Sequence, residues 1–172
     1  MPRDKTPARL ARPKRLWAVR AALLFLVAAA TLFLFYNSSA PGAVSGQASS
    51  QLTGWLLGSA ETDPAKPVET GIRKLGHIAE YALLGLVLFA ALRSFAPRPL
   101  RYFGWPMAYG LLAGVLDELY QLSVPGRSGR LTDVLIDFAG VLLGLFLGLA
   151  VHGIVRWHRA RRQTRPAAPA DI

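Results

Sequence analysis

Residues 132–155 read TDVLIDFAGVLLGLFLGLAVHGIV, and this stretch indicates the class of protein. It contains no lysine or arginine, and its two acids, Asp133 and Asp137, lie close to its beginning. A helix needs about 20 predominantly apolar residues to cross the roughly 30 Å of hydrocarbon in a bilayer. The stretch is therefore predicted to be a transmembrane helix.

The rest of the chain has the same character. Of its 172 residues, 52% are hydrophobic and only 17% are charged, a composition too apolar for an ordinary soluble domain. Three further stretches have the length and composition of spans: 17–36, 75–96 and 102–122. We therefore predict an all-α membrane protein, a polytopic bundle of about four transmembrane helices over residues 17–155, between basic tails at 1–16 and 156–172.

The first apolar stretch has two interpretations. Its basic start, its apolar core and the small residues of the following NSSAPGA are also typical of a cleavable signal peptide. The uncharged run from Ala21 to Tyr36 is longer than a usual signal core, which favours a retained helix. The segment at 37–70 is rich in Ser, Gly, Ala and Thr and is predicted to be a loop, with its short apolar LTGWLLG at the membrane interface.

The basic residues predict the orientation. Seven of them lie in 1–20, three in 93–101 and five in 156–165, which together make 15 of the chain's 20 lysines and arginines. Cytoplasmic flanks of membrane helices carry an excess of these residues. Both termini are therefore predicted to be cytoplasmic. The net charge of +10 is not taken to indicate nucleic acid, because no nucleic-acid-binding motif accompanies it.

With this topology, polar side chains from three segments meet at the outer face. They come from the start of the second predicted helix, the end of the third, and the turn and first residues of the fourth. Helix positions three and four apart share one face, which aligns side chains such as Lys74, His77 and Tyr81. The residues predicted to line a ligand-binding pocket are Lys74, His77, Glu80, Tyr81, Asp117, Glu118, Gln121, Arg127, Asp133 and Asp137.

Glycines continue these polar faces toward the other end of the predicted bundle. Small residues at four-residue spacing allow membrane helices to pack with their backbones close together. The glycines predicted to pack in this way are Gly110, Gly114, Gly140, Gly144 and Gly148. The same faces would also permit a homo-oligomer.

The polar cluster has an alternative interpretation as structural ion pairs. Ionisable groups within a span are unfavourable by a few kcal/mol each, so they mark a functional site or pair internally. In the alternative, Arg127 and Arg130 neutralise Asp133 and Asp117. We favour a pocket, because the polar residues come from three separate segments.

Two blocks, RKLGHIAEYALLGLVL (73–88) and LDELYQLSVPGRSGRLTDVLIDFAGVLLG (116–144), resemble the VanZ-like family of small bacterial membrane proteins. The residues that carry the resemblance are Lys74, His77, Tyr81, Asp117, Glu118, Gln121, Pro125, Gly126, Arg127, Asp133, Gly140 and Gly144. Two positions depart from the pattern: Asp137 stands where many members have Asn, and Tyr120 where His is frequent. The resemblance covers about 37–148 and implies a multi-pass protein of the bacterial cell membrane, linked to resistance to the glycopeptide teicoplanin.

The preferred functional hypothesis is binding or modification of an anionic cell-envelope ligand, such as a lipid head group, a cell-wall precursor or a glycopeptide. Arg127 could hold a phosphate or carboxylate by two parallel hydrogen bonds, and Lys74 adds a point charge. Besides this ligand, the expected partner is the lipid bilayer.

Other function classes stay open. In a membrane-embedded enzyme, His77 could act as an acid–base pair with Glu80 or Asp117, and the acids could hold a hard cation. No nucleophile elbow, HExxH motif or P-loop specifies a reaction, and the sequence specifies no cofactor.

Cysteine is absent, which excludes disulfides, thiol nucleophiles and cysteine metal sites. Transport through the bundle and a purely structural or assembly role are the remaining alternatives.

Overall fold

The computed structural model describes residues 11–40, 42–57, 65–95, 99–127 and 129–163. These residues form five α-helices and no strand, which confirms the all-α prediction. The helices are α1 (Ala11–Ser38), α2 (Gly42–Leu57), α3 (Ala65–Phe95), α4 (Pro99–Gln121) and α5 (Leu131–Gln163).

Three helices within the described ranges are long and apolar enough to cross a membrane. Their candidate spans are Lys14–Ser38 in α1, Val68–Phe95 in α3 and Leu131–Gln163 in α5. Helix α4 has 23 residues, a length of about 34 Å at 1.5 Å per residue. It is not among these candidate spans, and its sequence includes a tryptophan, tyrosines, prolines and two acids.

The surface of the bundle is apolar and its interior holds charge. Phe25, Leu32 and Phe146 are 72%, 70% and 64% exposed, whereas Asp117 and Asp137 are each 1% exposed. A protein in water shows the opposite arrangement, because large apolar patches on its surface are unfavourable. Hydrocarbon accepts such side chains, provided that the backbone groups are paired within helices. The chain is therefore a membrane protein.

Helices α3 and α5 pack closely because glycines of α5 face the backbone of α3. A Cβ atom added at Gly144 would overlap the carbonyl oxygen of Ala82, and one at Gly140 would lie 2.7 Å from that of Ile78. Farther along α5, Gly148 lies against the ring of Phe89. Only a residue without a side chain allows these approaches.

Helix α4 packs against α5 in a similar way. A Cβ atom at Gly110 would lie 2.6 Å from Val141 Cγ2, and one at Gly114 would lie 3.5 Å from Asp137 Cβ. The apolar core at this junction includes Leu84, Ala113 and Leu145, and Leu34 of α1 completes it.

Helix α2 occupies part of the segment that was predicted to be a loop. It has 16 residues, fewer than the roughly 20 needed to cross a bilayer, and it contacts α3. Thr53 is buried, while Trp55 is 81% exposed. The loop prediction is therefore wrong for Gly42–Leu57. The small side chains that suggested a loop belong instead to α2, which packs on α3.

The helices also extend beyond the predicted spans. Helix α3 begins at Ala65, well before residue 75, whereas α1 begins at Ala11 and α5 continues to Gln163, inside the basic tails. The remaining tail residues, 1–10 and 164–172, lie outside the described residues.

Two contacts tie the helices together at one end of the bundle. Arg20 Nη2 donates a hydrogen bond of 2.8 Å to the carbonyl oxygen of Ser94, and Arg93 Nη2 lies 2.7 Å from His152 Nε2. The start of α1 and the ends of α3 and α5 therefore share this end. The opposite end holds the predicted polar residues.

Candidate functional site

A polar cavity of about 190 Å³ lies where α3 and α5 begin and α4 ends. Of the ten predicted ligand-binding residues, seven line it: Lys74, His77, Glu118, Gln121, Arg127, Asp133 and Asp137. Sequence analysis missed Thr70 and Arg73, which also line it. They belong to the early turns of α3 and lie four residues before Lys74 and His77, so the same helix face carries all four. A prediction that began this helix earlier than residue 75 would have included them.

Three side chains from three helices converge beside the cavity. His77 of α3, Asp117 of α4 and Asp137 of α5 each place one potential ligand atom within 4.8 Å of the others. His77 Nδ1 lies 3.4 Å from Asp137 Oδ1. We call these three residues the buried triad.

The acids of the buried triad have donors nearby but few well-formed hydrogen bonds. The Ser38 side chain lies beside Asp117. Gln121, one turn after Asp117, donates a hydrogen bond of 3.0 Å to Asp117 Oδ2. Among the described residues, Asp117 Oδ1 and both carboxylate oxygens of Asp137 lack a hydrogen-bond partner. Tyr81 is buried, and its hydroxyl lies beside Asp137 without a well-formed hydrogen bond. Buried polar atoms are nearly always hydrogen-bonded, so four such atoms in one place indicate a missing partner.

Arg127 makes its hydrogen bonds to backbone carbonyls and not to the acids. Its Nε donates a hydrogen bond of 3.2 Å to the carbonyl oxygen of Ala40, and its Nη2 makes a long contact of 3.5 Å with that of Asn37. Burial lowers the pKa of the Arg127 guanidinium, and the positive charge of Arg73 acts in the same direction. An arginine nevertheless stays protonated in a protein. The cavity is therefore bordered by a half-buried cation.

The described residues form other ion pairs than those that the alternative interpretation named. Neither Arg127 nor Arg130 makes an ion pair with Asp117 or Asp133 there. Lys74 instead lies 3.9 Å from Asp133, and these side chains are 41% and 32% exposed. This pair is at the outer limit of a salt bridge and partly in solvent, where such contacts contribute little.

The turn between α4 and α5 positions Arg127. Gly126 has a φ of 75°, a backbone conformation that glycine adopts without strain. Glu118 Oε2 accepts a hydrogen bond of 2.7 Å from the backbone N–H of Arg130, which closes the turn. At Gly129, a Cβ atom would lie 2.7 Å from the carbonyl oxygen of Glu118. Residues 129 and 130 thus lie against the end of α4.

Three predicted ligand-binding residues do not line the cavity: Glu80, Tyr81 and Asp117, the last of which belongs to the buried triad beside it. Glu80 accepts a hydrogen bond of 2.6 Å from Asn37 Nδ2 of α1, and Tyr81 is 1% exposed in the core. Sequence analysis did not place Asn37 near the site, although the polar NSS that directly follows the first apolar span could have indicated it. Ser38, the next residue, is buried and lies 3.5 Å from Gln121 Nε2.

Comparison with protein families identifies the group to which this arrangement belongs. A family model described as VanZ/LLP1 matches residues 22–152, which include every residue of the site. No curated protein and no solved structure matches the chain. The family match confirms the resemblance carried by the two sequence blocks. The chain is a member of the VanZ/LLP1 family.

Proposed function

We propose that this membrane protein binds an anionic group of a cell-envelope ligand in the polar cavity, with Arg127 as the principal contact. The observation that carries the proposal is a half-buried guanidinium that borders the cavity and whose partners among the described residues are backbone carbonyls. Arginine has five N–H donors in a planar fork, and phosphate and carboxylate groups accept from two of them at once. The Arg127 donors not engaged with Ala40 and Asn37 are available for such a group.

The charges around Arg127 support the same proposal. Arg73, Lys74 and Arg130 also line the cavity. The acids of the lining are Glu118, Asp133 and Asp137, so four cationic side chains face three acidic ones. We call these four basic side chains the rim cations.

The size of the cavity favours a charged head group over a whole ligand. At about 190 Å³ it is smaller than the roughly 300–1,000 Å³ of pockets that enclose drug-sized molecules. A phosphate or carboxylate fits, and the remainder of the ligand would lie in the bilayer or outside it. A lipid head group, a lipid-linked wall precursor and a glycopeptide all meet this requirement.

The proposal includes an orientation in the bacterial cell membrane. Helix α3 leads away from the cavity and α5 begins beside it, so α4 has to return the chain and would be the fourth crossing. With four crossings, both termini lie on one side. The positive-inside rule favours the cytoplasm for that side, because 15 of the 20 basic residues are there. The cavity then opens outward at the depth of the lipid head groups.

Binding of a short-chain lipid phosphate tests the proposal. Calorimetric titration of the detergent-solubilised protein with dihexanoyl phosphatidic acid should give saturable binding, and dihexanoyl phosphatidylcholine should bind much more weakly. Arg127→Ala should weaken binding at least about tenfold, because a hydrogen bond to a charged group contributes about 1.5–3 kcal/mol. The matched control is Arg156→Ala, at an exposed arginine at the other end of α5. Equal binding by the Arg127 variant and the wild type would overturn the proposal.

A second experiment concerns the glycopeptide resistance that the resemblance implies. We expect Arg127→Ala and Asp133→Ala to abolish any teicoplanin resistance conferred by expression of the chain, while the variants remain in the membrane fraction. If both variants disappear from the membrane, these residues have a structural role.

A further inference from the structure

We propose that the buried triad of His77, Asp117 and Asp137 is a binding site for Zn²⁺ at the floor of the cavity. This inference does not depend on the anion-binding proposal, because it concerns deeper side chains than the rim cations. The ligand atoms come from one nitrogen and two carboxylate groups, one on each of three helices.

The first argument is the spacing of the potential ligands. His77 Nδ1 and Asp137 Oδ1 are 3.4 Å apart, which is long for a hydrogen bond between them. Bonds of about 2.0–2.2 Å from Zn²⁺ to nitrogen and oxygen place neighbouring ligands of a tetrahedron roughly 3.3–3.6 Å apart. The observed separation matches two ligands of one ion. All three ligand atoms lie within 4.8 Å, a range that small side-chain rotations convert into a common coordination sphere.

The second argument is the unsatisfied state of the acids. Asp117 and Asp137 are each 1% exposed, and three of their four carboxylate oxygens lack a hydrogen-bond partner among the described residues. A buried carboxylate is unfavourable unless it is paired or coordinates a metal. One oxygen of each acid also lies within 4.8 Å of the other potential ligand atoms, so the triad forms the kind of partner set that a cation would occupy.

The third argument concerns the other charges at the site. Lys74 lies against Asp133, and the hydrogen bonds of Arg127 go to backbone carbonyls. The cationic side chains of the rim therefore do not neutralise the buried acids. His77 is the triad's own source of positive charge, and even when protonated it could balance only one of the two carboxylates. A dication balances both while His77 is neutral, which is the form that binds a metal.

The ligand set favours zinc over the hard cations. Ca²⁺ takes six to eight oxygen ligands, and Mg²⁺ is bound through oxygens while keeping several waters. Imidazole nitrogen combined with two carboxylates suits Zn²⁺, which accepts three protein ligands and keeps a fourth position open. Because His77 and Asp137 line the cavity, the open position would face it. The hydrogen bond of 3.0 Å from Gln121 to Asp117 would orient that ligand, as outer-sphere residues of metal sites do.

Metal analysis of the purified protein tests the site. The protein is purified through an affinity tag that contains no histidine. It is then stripped of metal with a chelator, loaded with Zn²⁺, desalted and analysed by elemental mass spectrometry. We expect about one Zn²⁺ per chain for the wild type and less than about one fifth of that for His77→Ala and Asp137→Asn, because each removes one of three protein ligands. Glu69→Gln and His152→Ala, which change an acid outside the cavity lining and a histidine at the far end, should retain the metal. Zinc retained equally by all variants, or by none of the proteins, would overturn the proposal.

A spectroscopic measurement on the wild-type chain gives a test that does not depend on how the variants fold. Titration of the stripped wild type with Co²⁺ should produce the visible absorption of a four- or five-coordinate ion, and Zn²⁺ should displace it. Absence of a displaceable absorption band would overturn the proposal regardless of how the variants fold. Because no anionic lipid is present, failure here is distinguishable from failure of the anion-binding proposal.

Discussion

Asn37, near the end of α1, donates a hydrogen bond of 2.6 Å from its side chain to Glu80 Oε1 of α3. Its backbone carbonyl oxygen lies 3.5 Å from Arg127 Nη2. One residue of α1 therefore contacts both the helix that carries His77 and the arginine that borders the cavity. This contact supports a structural role for Glu80, which the sequence analysis placed among the ligand-binding residues.

We expect Glu80→Ala to reduce the free energy of unfolding by about 1.5–3 kcal/mol, the usual contribution of a hydrogen bond to a charged group. Glu80→Gln keeps an acceptor oxygen for Asn37 and should lose less. The measurement is reversible unfolding in mixed micelles, followed by tryptophan fluorescence. Glu69→Gln, an acid in an earlier turn of α3, is the control and should change stability by less than about 0.5 kcal/mol. Equal effects of Glu80→Ala and the control would contradict the structural assignment.

The same contacts predict that α1 stays in the mature protein. Cleavage after the NSSAPGA segment would remove Asn37 and Ala40, and with them the partners of Glu80 and Arg127. We expect the intact mass of protein purified through a tag at its C-terminus to include residues 17–36. A mass that corresponds to cleavage near Ala40 would show that the first apolar stretch is a signal peptide.

Much of the site could be predicted because helix periodicity carries long-range information. Once four apolar spans were assigned, their alternating direction placed the start of the second and of the fourth at one end of the bundle. Helix spacing then put Lys74 and His77 on one face, and Asp133 and Asp137 on another. Helix length was less well predicted. The early turns of α3 are polar, so they show no membrane pattern, and they hold Thr70 and Arg73.

The partners of the charged residues could not be predicted from residue types. The alternative interpretation paired Arg127 with an acid, yet its hydrogen bonds go to backbone carbonyls of Asn37 and Ala40. Every residue has a carbonyl group, so such an acceptor leaves no trace in the sequence. Helix α2 was missed for a related reason: small and polar residues are common both in loops and in helices that pack on other helices.

Close packing of α3 and α5 predicts strong sensitivity at Gly144. A Cβ atom there overlaps the backbone of Ala82, so Gly144→Ala requires the helices to separate and should lower the free energy of unfolding by about 1–3 kcal/mol. Gly153→Ala, on the same helix with no atom within 4 Å of the added Cβ, should be neutral or stabilising by up to about 1 kcal/mol. Unfolding in mixed micelles measures both. Similar stabilities for the two variants would contradict the close approach of α5 to α3.

The Lys74→Ala variant distinguishes between two roles of Lys74, a structural ion pair and a ligand contact. Its distance of 3.9 Å from Asp133 and the partial exposure of both side chains predict that Lys74→Ala changes stability by less than about 1 kcal/mol. If Lys74 instead serves an anionic ligand, the same variant should weaken binding of dihexanoyl phosphatidic acid several-fold, and this effect should shrink as salt is added. A large loss of stability with unchanged binding would assign Lys74 to the structure of the bundle.

The absence of cysteine allows the orientation to be measured with single introduced thiols. Ser123 is exposed in the turn beside the cavity, and Gln163 is exposed at the opposite end of the chain's last helix. In intact cells, a membrane-impermeant maleimide should label Ser123→Cys, whereas Gln163→Cys should react only after the membrane is permeabilised. This pattern follows from the basic residues, since 15 of the 20 lie on the side assigned to the cytoplasm.

The other labelling patterns have different consequences. The reverse pattern would place Arg127 and the buried triad on the cytoplasmic side, and the ligand would then have to be an anionic molecule of the cytoplasm or the inner leaflet. Helix α5 is the one helix between the two labelled positions. Labelling of both positions in intact cells would therefore mean that α5 does not cross the membrane, and the four-crossing topology would be wrong.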